Sequence, residues 1–488
     1  MQRVRWMFAG QLGSQFDDGG PVLLIEARSV FERAPMHRAK AHLLLSALRH
    51  RAQELGDRVE FHQVQTYGEV VEGRRDLQVV DPTSYSARRY VRRLGAEVLP
   101  SRGFVTSETD FAEWAASRGK GRLLLEDFYR WVRGRTGILM EGDAPAGGQW
   151  NYDHDNRQAP PKNAVTLGLP EPWWPVEDDI DAGVRDDLDR WQAEGTATFV
   201  GSDGPRRFAA TETEARAALA DFVESRLNDF GPFEDATLTG DWSMAHSLLS
   251  APLNLGLLDP REVVDTVEAE YRAGRAPLSS VEGFVRQIAG WRDYMWHLYW
   301  YLGEAYSTSH NALAATTPLP PEFTALDAEA ITANCLSHSI DGLRQHGWAH
   351  HIQRLMVIGN WALQRGYDPK QLNDWFVNMF VDGTPWVMPA NVIGMSQHAD
   401  GGIVATKPYA SGGAYISKMS DYCGPCRYNP KVRLGPDACP FTAGYWAFLD
   451  RTEPVLRTNF RMAQPLAGLR RLSDRAAVVA QEREREGL

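Results

Sequence analysis

Short apolar runs alternate with helical patterns in the first part of the chain. Residues 4–9 and 22–26 read as buried strands, and residues 59–65 and Leu77–Val80 as further strands. Between them, residues 37–54 carry Leu43, Leu44, Leu45 and Leu48 as an apolar stripe, which predicts a helix. Strands alternating with helices predict a parallel sheet. No G-x-G-x-x-G follows any of these strands, so a dinucleotide fingerprint is absent.

The pattern changes twice further on. Residues 142–175 collect Pro, Gly, Asn and Asp, which predicts loop structure long enough to join two domains. From Thr211 the periodicity turns helical. Residues 211–230, 281–302, 340–365 and 369–381 predict long helices, with Thr211 as a cap. No comparable strand alternation follows residue 215, and there is no internal repeat. From Leu466 the chain runs into a charged stretch, 481–485, which predicts a solvated helix end. The expected organisation is an α/β domain over 1–120, a connector over 121–215 and a helical domain over 216–488.

Composition bounds the class. The 488 residues are 43% hydrophobic and 24% charged, as in ordinary globular proteins, and at about 150 residues per domain they allow two to four domains. The net charge of −11 argues against nucleic-acid binding unless a local basic groove exists. No stretch approaches the ~18 apolar residues of a membrane span. The start carries Arg3 and Arg5 without an apolar signal core, so a cytoplasmic protein with reduced thiols is expected.

Four cysteines carry the first candidate chemistry. Cys423 and Cys426 form a C-x2-C pair, Cys439 is followed by Pro440, and Cys335 lies far upstream. A turn between paired thiolates brings both sulfurs to one side of a metal centre, and Cys-Pro recurs in ferredoxin-type ligation. Spacing alone does not choose between zinc and iron–sulfur. A redox C-x-x-C would sit near a βαβ unit, and buried free thiols are the plain alternative.

The surrounding sequence resembles the iron–sulfur bacterial branch of the photolyase/cryptochrome superfamily. Residues 420–430 read S-D-Y-C-G-P-C-R-Y-N-P, and Cys439-Pro-Phe follows; both are similar to that family's cluster-binding region. The likeness is strongest over residues 246–450, good over 126–158 and weak over 1–115. It implies a Rossmann-like α/β domain and a helical FAD-binding domain, with Cys335, Cys423, Cys426 and Cys439 holding a [4Fe–4S] cluster. His246, Ser247, Leu248, Leu249, Ser250 and Asn254 resemble the loop that holds the FAD phosphates and ribityl chain. Gln287, Trp291 and Arg292 lie in a segment similar to the flavin-flanking helix. Arg354 and Asp382 match a charge pair beside the isoalloxazine ring, with Trp375, Met388 and Asn391 nearby in the motif. His350 and His351 resemble the pair that assists proton transfer in enzymes repairing (6-4) photoproducts; Tyr409 and Tyr415 match tyrosines near the lesion.

Departures from the family pattern shape the expectations. Met388 stands where the branch usually has a carboxylate near flavin N5, and methionine cannot donate a proton. Phe376 follows Trp375 where better studied members have a tyrosine, and residues 323–327 lack the tryptophan expected there. The usual aromatic electron relay is therefore expected to be broken or rerouted. Ala9-Gly-Gln-Leu lacks the acidic residue of the family opening, and Val30 replaces a glutamate, so lumazine antenna binding is expected to be poor or absent.

Three functions follow in order: light-driven repair of (6-4) photoproducts in damaged DNA by a monomer, light sensing without repair, and flavin chemistry on a small molecule.

Overall fold

The computed structural model describes residues 3–119 and 121–485, so the first two residues of the expected start lie outside it. Strands β1 (Val4–Met7) and β2 (Val22–Ala27) are followed by helix α1 (Arg38–Leu55). Strands β3 (Val59–Val64), β4 (Leu77–Val80) and β5 (Glu97–Leu99) complete a five-stranded sheet. Its order is β3-β2-β1-β4-β5 and every pairing is parallel, with Arg5 opposite Val22 and Val4 opposite Leu77. Trp6, Leu23, Leu24 and Val79 are buried on it, which is why these strands read as continuous apolar runs.

Doubly wound sheets bind ligands where the strand order reverses, here between β1 and β4. In this chain that crevice is filled from within. The Gln11 side-chain amide donates to the Val80 carbonyl at 2.9 Å. The next residues dock on the helical domain: Leu12 N–H donates to Leu255 O at 3.1 Å and Gly13 N–H to Gly256 O at 2.8 Å. A Cβ on Gly13 would sit 2.2 Å from Gly256 O, so only glycine allows this approach.

The connector contains two helices with opposite allegiances. Helix α2 (Leu125–Thr136) packs on the helical domain, and a Cβ on Gly290 would lie 3.1 Å from the Tyr129 ring. Helix α3 (Asp179–Ala193) returns to α1, joining Val184, Leu188 and Trp191 to Phe31, Ala41 and Leu45 in one apolar cluster. The loop-rich composition of 142–175 marks only the segment between them.

The helical part begins as expected, with the Thr211 side chain accepting from Glu214 N–H at the start of Glu212–Ser225. The expected helix 340–365 is interrupted. Helix α4 (Asn334–His346) ends at Gly347, whose φ of +62° closes it in the left-handed conformation. Helix α5 is Pro369–Met379. Three seven-residue π-helical stretches are present: Arg286–Arg292 and Gln353–Gly359 lie within longer helices, and Ala390–Ser396 ends one. Hydrophobic periodicity gave no sign of them. No helix among the described residues is long and apolar enough to cross a membrane.

The first turn of α1 wedges into the helical domain. His37 is fully buried; its Nδ1 accepts from Ala39 N–H at 3.1 Å, so Nε2 carries the proton and donates to Leu343 O at 2.8 Å. Burial pushes its pKa down to about 4, while the unfolded chain takes up a proton near ~6.5. The unfolded state thus binds more protons between these values, and stability is lost as pH falls through that window. His37→Gln keeps a donor for Leu343 O and cannot titrate. Urea unfolding at pH 7 and pH 4 is expected to show about 3 kcal/mol less acid destabilisation in this variant than in wild type.

Candidate active site

A cavity of about 310 Å³ opens in the helical domain, within the ~300–1,000 Å³ typical of ligand and cofactor sites. All three π-helical stretches face it: the first supplies Gln287, Ile288, Trp291 and Arg292, the second Arg354 and Leu355, the third Asn391, Val392, Met395 and Ser396. A π-turn inserts a residue and rotates the following side chains, and such turns recur at functional sites.

Most residues singled out in the sequence meet here. His246, Ser247, Leu248, Leu249, Ser250 and Asn254 form one wall, and Asp382, Met388 and His351 others. Leu248 has a φ of +55°, an unfavourable conformation for a branched side chain held by its surroundings. The helix after it, Ser250–Asn254, is a single turn, so hydroxyls and backbone groups rather than a long helix dipole would meet an anion there. Arg354 and Asp382 form a bidentate pair at 2.9 and 3.0 Å. Asn254 donates to the backbone carbonyl of Asp382 at 2.9 Å, tying the first wall to that pair.

The cavity is not self-satisfied. Ser250 Oγ, Arg292 Nε, His246 Nε2 and Glu234 Oε2 are buried without a hydrogen-bond partner, and all four residues line it. Unpaired buried polar atoms are costly, so these are groups suited to a bound polar ligand. Arg292 is fully buried; its guanidinium lies 5.2 Å from the Trp386 ring, and burial lowers its pKa to about 10.

The two adjacent histidines differ. His350 is 1% exposed and lies behind the lining. Its Nδ1 accepts from Ile352 N–H at 3.0 Å, which leaves the ring proton on Nε2. Burial, then the neighbouring His246 and His351, hold its pKa well below 6.5. His351 lines the cavity, and its Nε2 meets Asp235 Oδ1 at 3.1 Å. Burial raises the Asp235 pKa, but the His351 bond and charge, Arg157 and Tyr415 together outweigh it, and the carboxylate titrates below its usual range. Tyr415 donates its hydroxyl to the same carboxylate at 3.4 Å.

Three further named residues stand apart from the wall, Tyr415 among them. Trp375 is buried and donates Nε1–H to Phe323 O at 3.0 Å; its neighbour Phe376 lines the cavity instead. Tyr409 is 40% exposed and is not among the lining side chains. Sequence reasoning missed Asp235, Glu234, Gln353 and Trp386. Asp235 and Glu234 belong to no motif and are brought in by tertiary contact, whereas Gln353 and Trp386 lie in the 348–354 and 386–391 segments beside residues that were named.

The four cysteines line one small cavity with Tyr422, Tyr428 and Phe441. All are free thiols. Among the described residues no three of their sulfurs fall within 4.8 Å of one another, whereas a tetrahedral zinc with Zn–S of ~2.3 Å would hold sulfurs about 3.8 Å apart. Burial, followed by mutual repulsion, pushes the Cys423 thiol up to about 11. A hydrogen-bond path joins this cavity to the histidines: Gln353 donates to Tyr422 Oη at 2.8 Å and accepts from His350 N–H at 2.9 Å.

Comparison with known proteins follows the same lines. The family described as "Deoxyribodipyrimidine photo-lyase-related protein" matches residues 10–198. A protein named (6-4) photolyase from Agrobacterium fabrum is 39% identical over 476 residues, covering 93% of this chain and 91% of that protein. A bacterial class III photolyase structure from Agrobacterium tumefaciens shares the fold at TM-score 0.57 and 17% identity, covering 94% of this chain and 98% of its own. A Synechocystis cryptochrome structure does so at TM-score 0.55 and 15% identity, with 86% and 88% covered. Those two likenesses speak to the fold, and the full-length identity speaks to kinship. The chain belongs to the photolyase-related family of flavoproteins.

Proposed function

We propose that this chain repairs (6-4) photoproducts in DNA under blue light, with FAD in the helical-domain cavity and a [4Fe–4S] cluster on the four cysteines. The observation that carries the repair reading is the His351–Asp235 pair at the wall of a cavity whose polar atoms suit FAD. The named relative supports the lesion class, because its name is (6-4) photolyase. For the cluster, the support is four free, buried or half-buried thiols around one cavity, spread too widely for a single zinc.

FAD, when bound and reduced, supplies the electron that light delivers to the lesion. The chain's own residues do the rest. Ser247, Ser250 and Asn254 hold the cofactor's polar parts, and Arg292 offers its unpaired Nε. Arg354, oriented by Asp382 in the cavity wall, would supply a fixed positive charge that favours an anionic flavin. Trp291, Trp348 and Trp386 exclude water. His351 would pass a proton to the lesion, its ring held by the Nε2 contact with Asp235. His350 stacks on His351 with ring centroids 4.8 Å apart, and its neutral, anchored ring holds its neighbour in place.

The acidic net charge does not oppose DNA binding on this face. Lys407, Lys418, Arg427 and Lys431 are exposed along the segment that carries Tyr409 and Tyr415. Exposed cations of this kind are what phosphate contact needs. A second reading, light sensing without repair, is favoured by Phe376 and Met388 in the cavity wall. Lesion affinity separates the two. Fluorescence anisotropy is expected to show at least about 100-fold tighter binding to a (6-4) duplex than to undamaged DNA; equal affinity would favour the sensor.

A further inference from the structure

Lys40 is a buried cation that none of the chemistry above employs. It lies in the first turn of α1, in the α/β domain, and is 6% exposed. Its ammonium reaches into the helical domain, donating to Val377 O and, at 2.6 Å, to Gly383 O. Val377 O belongs to the last turn of α5, where carbonyls lack intrahelical partners and a cation is favoured.

The turn it grips carries a cavity residue. Phe380, Val381, Asp382 and Gly383 follow α5 directly. Carbonyls crowd this turn: a Cβ on Gly383 would meet Phe376 O and Val377 O, each at 2.6 Å. Gly383 N–H donates to Phe380 O at 2.9 Å and Val381 N–H to Gly347 O at 2.8 Å. On the other side Asn254 holds the Asp382 carbonyl. Lys40 is the tether from the α/β domain. Burial lowers its pKa to about 8, and nearby Asp382, itself paired with Arg354, opposes that shift. The neighbouring His37 is neutral.

We propose that Lys40 is a positioning residue for the Arg354–Asp382 pair, through which the α/β domain sets the charge geometry of the cofactor cavity. The inference rests on the reading that this cavity holds FAD. Lys40 touches no lining atom itself and acts through the 380–383 turn. The α/β domain would thus have a role at the flavin whether or not it carries an antenna.

A double-mutant cycle on the FAD-loaded full chain tests this. Lys40→Met is expected to release FAD at least about 10-fold faster than wild type and to move the flavin midpoint potential. In an Asp382→Asn background the same substitution is expected to change release less than about 2-fold. Wild-type release by Lys40→Met, or an equal factor in both backgrounds, overturns the proposal; the second result would mark Lys40 as a plain structural tie. Lys40→Gln keeps an N–H donor without the charge, which preserves folding should the methionine variant not fold. It too is expected to release FAD faster than wild type, and wild-type release from it overturns the proposal. A wild-type protein that retains no FAD would instead fail the reading of the cavity.

Discussion

His351→Asn is expected to lower light-driven repair at least about 100-fold, the usual scale of a lost general acid, while FAD content and lesion affinity stay near wild type. Asparagine preserves a donor toward Asp235 and removes the titratable ring, so the loss reads proton transfer and not packing. The side chain is half exposed at the cavity wall, and its replacement leaves no core void. His350→Asn is expected to behave differently. Its ring is buried with Nδ1 bonded to Ile352 N–H, so substitution disturbs the 350–354 turn and affects folding and repair together. The measurement is the single-turnover repair rate beside a thermal midpoint for each variant. Equal repair by His351→Asn and wild type would remove His351 from the chemistry.

Cys439→Ser is expected to reduce bound iron from about four per chain to less than one, and to lower the thermal midpoint by roughly 10 °C or more. The reasoning is linkage: ligand binding to the native state is folding free energy, and thiolates are needed to hold a cluster. Cys335 is buried in α4, while Cys423, Cys426 and Cys439 lie in and after a loop with little regular structure. A cluster would therefore staple the loop to the helix. If the cysteines were only buried thiols, serine would leave iron at zero throughout and shift the midpoint by a few degrees. If they held zinc, zinc rather than iron would fall. Iron and acid-labile sulfide analysis of anaerobically purified protein separates these outcomes.

The α/β sheet was legible because its inner strands are buried on both faces and read as apolar runs, such as Val22–Ala27. Helix α1 was legible from its leucines. The cavity-lining residues were found through motif likeness, since Ser247, Ser250 and Asn254 look like ordinary caps by themselves. What escaped was tertiary or subtle in backbone terms. The π-helical stretches change the register by one residue, which an 18-residue apolar pattern cannot resolve. Asp235 and Lys40 are ordinary charged residues until folding brings them to His351 and to the end of α5. The family match over residues 10–198 also covers much of the part where motif likeness was weakest.

The corrections concern how the parts connect. Residues 121–215 form two helices bound to different domains. Leu12 and Gly13, which follow the first strand, are hydrogen-bonded to Leu255 and Gly256 in the helical domain. The α/β domain therefore grips two segments next to cavity-lining residues, the one at Leu255–Gly256 and the 380–383 turn held by Lys40.

The most direct test of the account is blue-light illumination of the reduced, FAD-loaded protein with an oligonucleotide carrying one (6-4) lesion, followed by chromatography of the strand. The account predicts light-dependent conversion of the lesion to intact pyrimidines, with no conversion in the dark. Lesion DNA that binds tightly beside fully reduced FAD and yet emerges unchanged from the light would contradict it.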